Sequence, residues 1–285
     1  MPRHEGNVEV GSSQDERHRD SGVMRAGRWV AAPGRVHWTV DMERPWLWLA
    51  LGWRDFLRAP WIGLGYGAGV ALLGALLVYV SVLAGGWILI VPLATGFMLV
   101  GPIAAVGLYE TSRRLEAGER PTLRGALGAF GRNSSQLGLM GFVLTFLLLT
   151  WMLLASIVFM LFFGASGIGA ETFFRQMFVS SATIPFLALG SALGAVIAAV
   201  VFAVSAVSLP MMLDRDADAF DAGTQSVQTV LRHPRVMLFW GGLIVLFVGT
   251  GLLTFGLGLI IALPLIGHAT WHAYRDLVPV PDEKD

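Results

Sequence analysis

From Trp61 to Tyr109 the chain contains no Asp, Glu, Lys or Arg. About 20 apolar residues in a helix cross the roughly 30 Å hydrocarbon core of a bilayer. This stretch is therefore long enough to cross twice, with Gly85 and Gly86 as the turn. Composition agrees. Hydrophobic residues make up 55% of the chain and charged ones 14%, with a mean hydropathy of +0.65, whereas soluble chains have roughly 45–50% apolar residues and about 25% charge. The 35 glycines also suit helix contacts in membranes.

Glu110, Arg113 and Arg114 end the second crossing. Further apolar runs fill 137–163 and 184–209, and the last extends from 236 to 266. That run is long for one upright helix and short for two, and TFGLG at 254–258 offers a turn. The distribution of basic residues settles the expectation, because Arg and Lys collect in cytoplasmic loops. Six crossings put Arg113, Arg114, Arg120, Arg124 and Arg132, then Arg215, Arg232 and Arg235, then Arg275 and Lys284 on one side, with only Arg175 on the other. The expected fold is all-α: a polytopic membrane domain over 44–278 with six transmembrane helices near 61–84, 87–109, 137–163, 184–209, 236–253 and 257–275. Both termini are expected in the cytoplasm, at an inner membrane.

No signal peptide is visible, so the first apolar helix is expected to act as an uncleaved anchor. Residues 1–43 mix charge with Gly, Ser and Pro and are expected to form a disordered cytoplasmic tail. Trp29 and Trp38 stand out there as candidates to touch the membrane. Residues 279–285 form a second short tail. Residues 44–58 are different: Trp46, Leu49, Ala50, Trp53, Phe56 and Leu57 recur at helical spacing, as in an amphipathic helix lying among headgroups. Phe173, Phe174, Met177 and Phe178 suggest a second short surface helix.

Three stretches align without gaps: WRDFLRAPWIGLGYG from 53, LGAFGRNSSQLGLMG from 127 and VQTVLRHPRVMLFWG from 227. Arg58, Arg132 and Arg232 coincide, as do Pro60, Ser134 and Pro234, and Gly67, Gly141 and Gly241. Each reads as a surface helix, a corner and a pair of spans, so three parallel helical-hairpin repeats are expected. The residue before proline is pushed out of the helical region, and proline fits the first turn of the next helix. The Arg before each corner can reach lipid phosphates.

Small residues let helices approach closely in lipid. Gly63, Gly65, Gly67 and Gly69 give two overlapping patterns, of which Gly65 with Gly69 is taken as a packing pair, like Gly190 with Gly194. Packing within the chain is favoured over self-association. Pro92, Pro102 and Pro264 lie inside spans and kink or break them.

The first five spans hold no charged residue, which counts against an ion-coupled carrier. Thr95, Thr145, Ser156, Ser191, Ser205 and Thr250 either line a path for a neutral solute or bond back to their own helix. Chemistry concentrates in GHATWHAYRD at 267–276. His268 and His272 share one helix side and, with Glu110, are the candidate metal ligands, a haem being the other option. The competing reading makes Trp271, Tyr274 and Arg275 headgroup anchors, alongside Trp46, Trp53, Arg58, Arg132 and Arg232. The absence of cysteine removes thiol chemistry. No HExxH and no nucleophile elbow is present, so no catalytic residues are expected. Zero net charge points to no nucleic-acid partner.

GWRDFLRAPWIGLGYG, VGPIAAVGLYETSRRLEAGE and LPLIGHATWHAYRDL resemble bacterial integral membrane proteins grouped as domain-of-unknown-function family 2189. The resemblance covers about residues 45 to 278 and implies a multi-span inner-membrane protein, with no catalytic residues to carry over. The expected role is that of a non-enzymatic partner or organiser of the lipid surface or of other membrane proteins. No cofactor is required for that role. The alternatives are a facilitator for a small neutral solute and a haem- or metal-binding redox subunit using His268 and His272. The sequence fixes neither partner nor oligomeric state.

Overall fold

The computed structural model describes residues 24–25, 28–29, 41–86, 89–164 and 180–278. In the N-terminal unit, β1 (Met24–Arg25) pairs antiparallel with β2 (Arg28–Trp29), Met24 opposite Trp29. The rest of the expected tail up to residue 40, Trp38 included, the Phe173–Phe178 surface helix and residues 279–285 lie outside the described residues.

The second unit is helical. It comprises α1 (Arg44–Arg58), α2 (Pro60–Leu83), α3 (Ile90–Ala104), α4 (Val106–Glu116), α5 (Leu123–Gly128), α6 (Ser134–Phe163), α7 (Thr183–Ser205), α8 (Ser208–Arg215), α9 (Ala219–Arg232), α10 (Pro234–Leu253) and α11 (Leu259–Leu277). Five helical runs among the described residues are long and apolar enough to cross a membrane: α2, α3 with α4, α6, α7 with α8, and α10. The sixth expected crossing exists as α11, but its second half carries His268, His272, Arg275 and Asp276, and it is not among the five.

Two spans continue past their expected ends through a break. α3 gives way to α4 at Ala105, three residues after Pro102. α7 gives way to α8 at Ala206 and Val207, where the Val207 amide donates to Ser226 Oγ at 3.2 Å. The expected end at Tyr109 was set by the charges that follow it. Those charges are instead carried on helix, paired with one another, as far as Glu116.

The turns from α1 to α2, into α6, and from α9 to α10 are corners of one conformation. Ala59 has φ −133°, ψ 54°; Asn133 has φ −131°, ψ 56°; His233 has φ −124°, ψ 53°. Proline follows the first and third, yet Ser134 follows the second, so proline alone does not impose the bend. At the second corner Asn133 Nδ2 donates to the carbonyls of Met212 and Ala217 at 3.3 and 3.0 Å, and Gln136 Oε1 accepts from the Ala219 amide at 2.9 Å. These bonds tie the corner to the connection between α8 and α9. The end of the bundle that carries the corners is called the corner end below.

Close approach uses a different glycine set from the expected one. A Cβ on Gly67 would lie 2.5 Å from the Ile260 carbonyl oxygen, and one on Gly63 would meet the Phe56 ring at 2.7 Å. Gly65, Gly69 and Gly190 have nothing within 4 Å of that position, while Gly194 lies against Trp151 at 3.0 Å. Residues two apart on a helix point some 200° apart. When Gly63 and Gly67 face α11, Gly65 and Gly69 must face away.

This register also shows that the α10–α11 hairpin is short. α11 begins one residue before Ile260, beside Gly67, while α2 runs on 16 residues, roughly 24 Å further. Over that stretch α2 is largely bare: Leu72 is 70% exposed and Leu83 69%. The hairpin tip is itself apolar and bare, with Phe255 98% exposed. Phe255 and Gly256 take left-handed φ values of 55° and 82°. The Thr254 hydroxyl donates to the Gly251 carbonyl and accepts from the Gly258 amide, both at 2.8 Å, so the turn satisfies its own backbone.

Candidate functional site

The second half of α11 is the meeting point of the corner end. Three glycines make it so. A Cβ on Gly52 of α1 would sit 2.6 Å from the Ala269 amide nitrogen, one on Gly267 would sit 2.6 Å from Leu108 of α4, and one on Gly107 would sit 2.6 Å from the Tyr66 ring. Contacts this close leave little room for water, and a polar group buried here needs a protein partner.

Those partners come from three helices, each supplying an acid. Asp55 of α1 meets His272 Nε2 at 2.8 Å. Glu116 of α4 accepts from Trp271 Nε1 at 2.9 Å and pairs with Arg275 at 3.1 Å. Asp214 of α8 accepts from the Tyr274 hydroxyl at 2.8 Å and pairs with Arg275 at 3.2 Å. Asp276 of α11 repays the contact: it accepts from Trp48 Nε1 at 2.9 Å and pairs with Arg44 at 3.3 Å. Arg215 caps the helix by donating to the Val278 carbonyl at 2.8 Å, with its guanidinium 5.5 Å from the Tyr274 ring centre.

Deeper in, His268 Nδ1 lies 2.9 Å from Ser112 Oγ, and both residues are wholly buried. Asp55 is 2% exposed. Burial by itself would raise its carboxyl; the hydrogen bond and charge of His272, with smaller help from Ser112 and His268, outweigh it and hold the group below its ordinary range.

The expected metal candidates are divided between two sites. Glu110 is 1% exposed and is held by Arg113 at 2.7 and 3.0 Å, by Arg114 at 2.6 Å and by Arg132 at 3.8 Å. His268 faces Ser112 and His272 faces Asp55. Among the described residues no three His, Asp or Glu side chains gather in a way that could hold a metal ion. The arrangement can fix helices and store paired charge. A cleft lies elsewhere, along α10 and the apolar half of α11.

The expected anchors separate into two groups. Trp271 (1% exposed) and Tyr274 (0%) are inside the protein, not at its surface. They carry a polar tip into a closed site, where it bonds a carboxylate instead of water. Trp46 and Trp53 are exposed on α1, and Arg58, Arg132 and Arg232 are exposed at the corners. α1 thus has two working faces. Trp48, Gly52, Asp55 and Phe56 are buried, while Trp46, Trp53 and Leu57 look outward. The sequence pattern merged these faces into one. Asp55, Ser112, Glu116 and Asp214 were not foreseen as site residues. The available signal was position: Asp55 falls on the Trp48–Gly52 stripe, at i+7 and i+3.

Residues 90–214, from α3 to the last turn of α8, match the model of a family described as predicted integral membrane protein (DUF2189). No curated protein and no solved structure matches the chain.

Proposed function

From the premise of a DUF2189-type integral membrane protein, we propose a non-enzymatic organiser of the lipid surface, seated in the inner membrane with both termini in the cytoplasm. It is read as three parallel hairpin repeats, the third one shallow. The observation that carries this reading is the triple corner. Three backbone turns of one conformation each follow an exposed Arg and each lead from a surface helix into a bare apolar helix.

The surface segments add large apolar side chains beside those cations. Trp46, Trp53, Leu57 and Trp61 are exposed near Arg54 and Arg58; Leu123, Leu127 and Phe130 near Arg124 and Arg132; Phe220 and Leu231 near Arg232 and Arg235. Arg with exposed Trp, Phe and Leu suits the headgroup layer of an anionic leaflet, where each basic residue contributes about 1 kcal/mol. A solute path draws no comparable support. Thr95, Thr145, Ser156, Ser205 and Thr250 all donate to carbonyls of their own helices.

The test is reconstitution of the full chain into nanodiscs containing phosphatidylcholine and phosphatidylglycerol, with the bilayer composition around the protein measured. Enrichment of phosphatidylglycerol is expected, and it falls in the triple variant Arg58→Gln, Arg132→Gln, Arg232→Gln. Equal composition in both proteins would refute the reading. For topology, a reporter fused after residue 280 is expected to read cytoplasmic, and a periplasmic signal would remove the third hairpin from the scheme.

A further inference from the structure

A cleft of about 380 Å³ runs along the seam of the short hairpin. Phe247 and Thr250 of α10 form one wall, Ile261 and Leu265 of α11 the other, and Trp53 of α1 closes the corner end. Thr254 and Gly258, at the hairpin tip, mark its far end. The cleft is near the lower end of small-molecule pocket sizes.

Its chemistry is hydrocarbon. The two threonines on its wall are committed: Thr250 donates to the Leu246 and Phe247 carbonyls at 2.8 and 2.9 Å, and Thr254 donates to Gly251 at 2.8 Å. Their hydroxyl protons are therefore not offered to the cleft. Its walls run seven residues each, from Phe247 to Thr254 along α10 and from Gly258 to Leu265 along α11, roughly 10 Å of helix. A groove of that length takes part of one extended acyl chain.

Exposed cations lie toward its corner end. Arg54 follows Trp53 directly and is exposed. Trp46, on the same flank of α1 as Trp53, touches the Phe239 ring of α10 at 5.8 Å between centres. Exposed Arg235 lies one turn before Phe239. Among the described residues no acid pairs with Arg54 or Arg235.

We propose that this cleft is a binding site for one anionic phospholipid of the cytoplasmic leaflet, with an acyl chain between α10 and α11 and its phosphate between Arg54 and Arg235. The proposal rests on the lipid-surface reading but on different residues, so the two fail separately. Native mass spectrometry of the full chain, released from phosphatidylcholine nanodiscs doped with phosphatidylglycerol, is expected to show one phosphatidylglycerol retained per protein. Ile261→Trp, which fills the cleft from its exposed side, abolishes retention. Arg54→Gln with Arg235→Gln weakens it about ten-fold. Phosphatidylglycerol brominated in its acyl chains quenches wild-type fluorescence more than that of Trp53→Phe, a reading that does not depend on a variant with a filled cleft.

Retention undiminished in Ile261→Trp, retention of phosphatidylcholine as readily as phosphatidylglycerol, or equal quenching in Trp53→Phe would each overturn the site. If the corner triple variant keeps bulk phosphatidylglycerol enrichment while the single retained lipid depends on Ile261, the lipid-surface reading fails and the cleft stands. If the corner variant loses enrichment and Ile261→Trp keeps its lipid, the reverse holds.

Discussion

Helices α6 and α11 belong to one chain but answer to different surroundings. α6 is 30 residues long with a hydropathy of 2.5, and only 6% of its apolar window is buried. Leu149 and Leu153 are each 62% exposed. α11 holds two histidines, an arginine and an aspartate, yet His268, Trp271 and Tyr274 are the parts most fully enclosed. In water the apolar helix would be the core and the polar one the surface. Here a strongly apolar helix has little protein around it, because lipid serves as its partner. The polar residues mark where helices meet, since a polar group has no partner in hydrocarbon. Hydropathy therefore reports the solvent of a segment, and interrupted hydropathy reports its core.

The sharpest way to break this comparison is to add volume on each side of it. Gly52→Leu drives a side chain into the Ala269 backbone, which cannot yield as a flexible side chain does. Overpacking costs about 1–3 kcal/mol where neighbours can shift, and a larger loss is expected here, read as failure to survive extraction or a collapse of Tm in detergent. Gly65→Leu, on α2 and in open space, is expected to change Tm very little. Equal effects of the two would mean that the corner end is not the core.

Removing charge comes next. Asp55→Ala leaves His272 buried without its partner, and breaking a buried pair costs about 3–5 kcal/mol. Thermal unfolding in mild detergent should place this variant well below wild type. A smaller loss, about 1 kcal/mol, is expected for Trp271→Phe, because Glu116, its side chain 43% exposed, can turn the freed oxygen to water. A double variant with Glu116→Gln is expected to show coupling between the two sites.

Acidification sharpens the same contrast. The folded-state carboxyl of Asp55 is held below its ordinary 3.8. Its contribution is complete above pH 3.8 and is withdrawn as pH falls through the lower folded value. Tm of wild type measured downward from pH 5 should therefore drop more steeply below about pH 4 than that of Asp55→Asn. The smallest effect is expected at the far end: Leu72→Ala or Leu149→Ala should shift stability by no more than about 0.5 kcal/mol, because lipid replaces the lost contact.

The membrane class, the turn at 254–258 and the corner positions at 58–60, 132–134 and 232–234 were legible in the sequence, because charge placement and apolar length are set by the bilayer. The choice of glycines was not. Gly63, Gly65, Gly67 and Gly69 are equivalent as a pattern, and only the position of α11 selects the first and third. The candidate site was half legible. GHATWHAYRD drew attention to the correct segment, but its partners lie on α1, α4 and α8, far away in the chain. Asp55 drew no notice, because nothing local shows that His272 stands opposite. The proline rule explained two corners and overlooked that Asn133 makes the same bend with side-chain bonds to another segment.

The Asp55–His272 contact joins residues 217 positions apart. At about 5–20 residues per second of synthesis, α1 precedes its partner by roughly 10–40 s. During that interval no later helix exists to cover Trp48 and Gly52. The outward Trp46, Trp53 and Leu57 stay bare in the finished fold, so that face of α1 waits for no later helix. Assembly thus ends with the last helix arriving beneath the first, and a chain truncated before His268 would leave the membrane with inserted spans and no keystone.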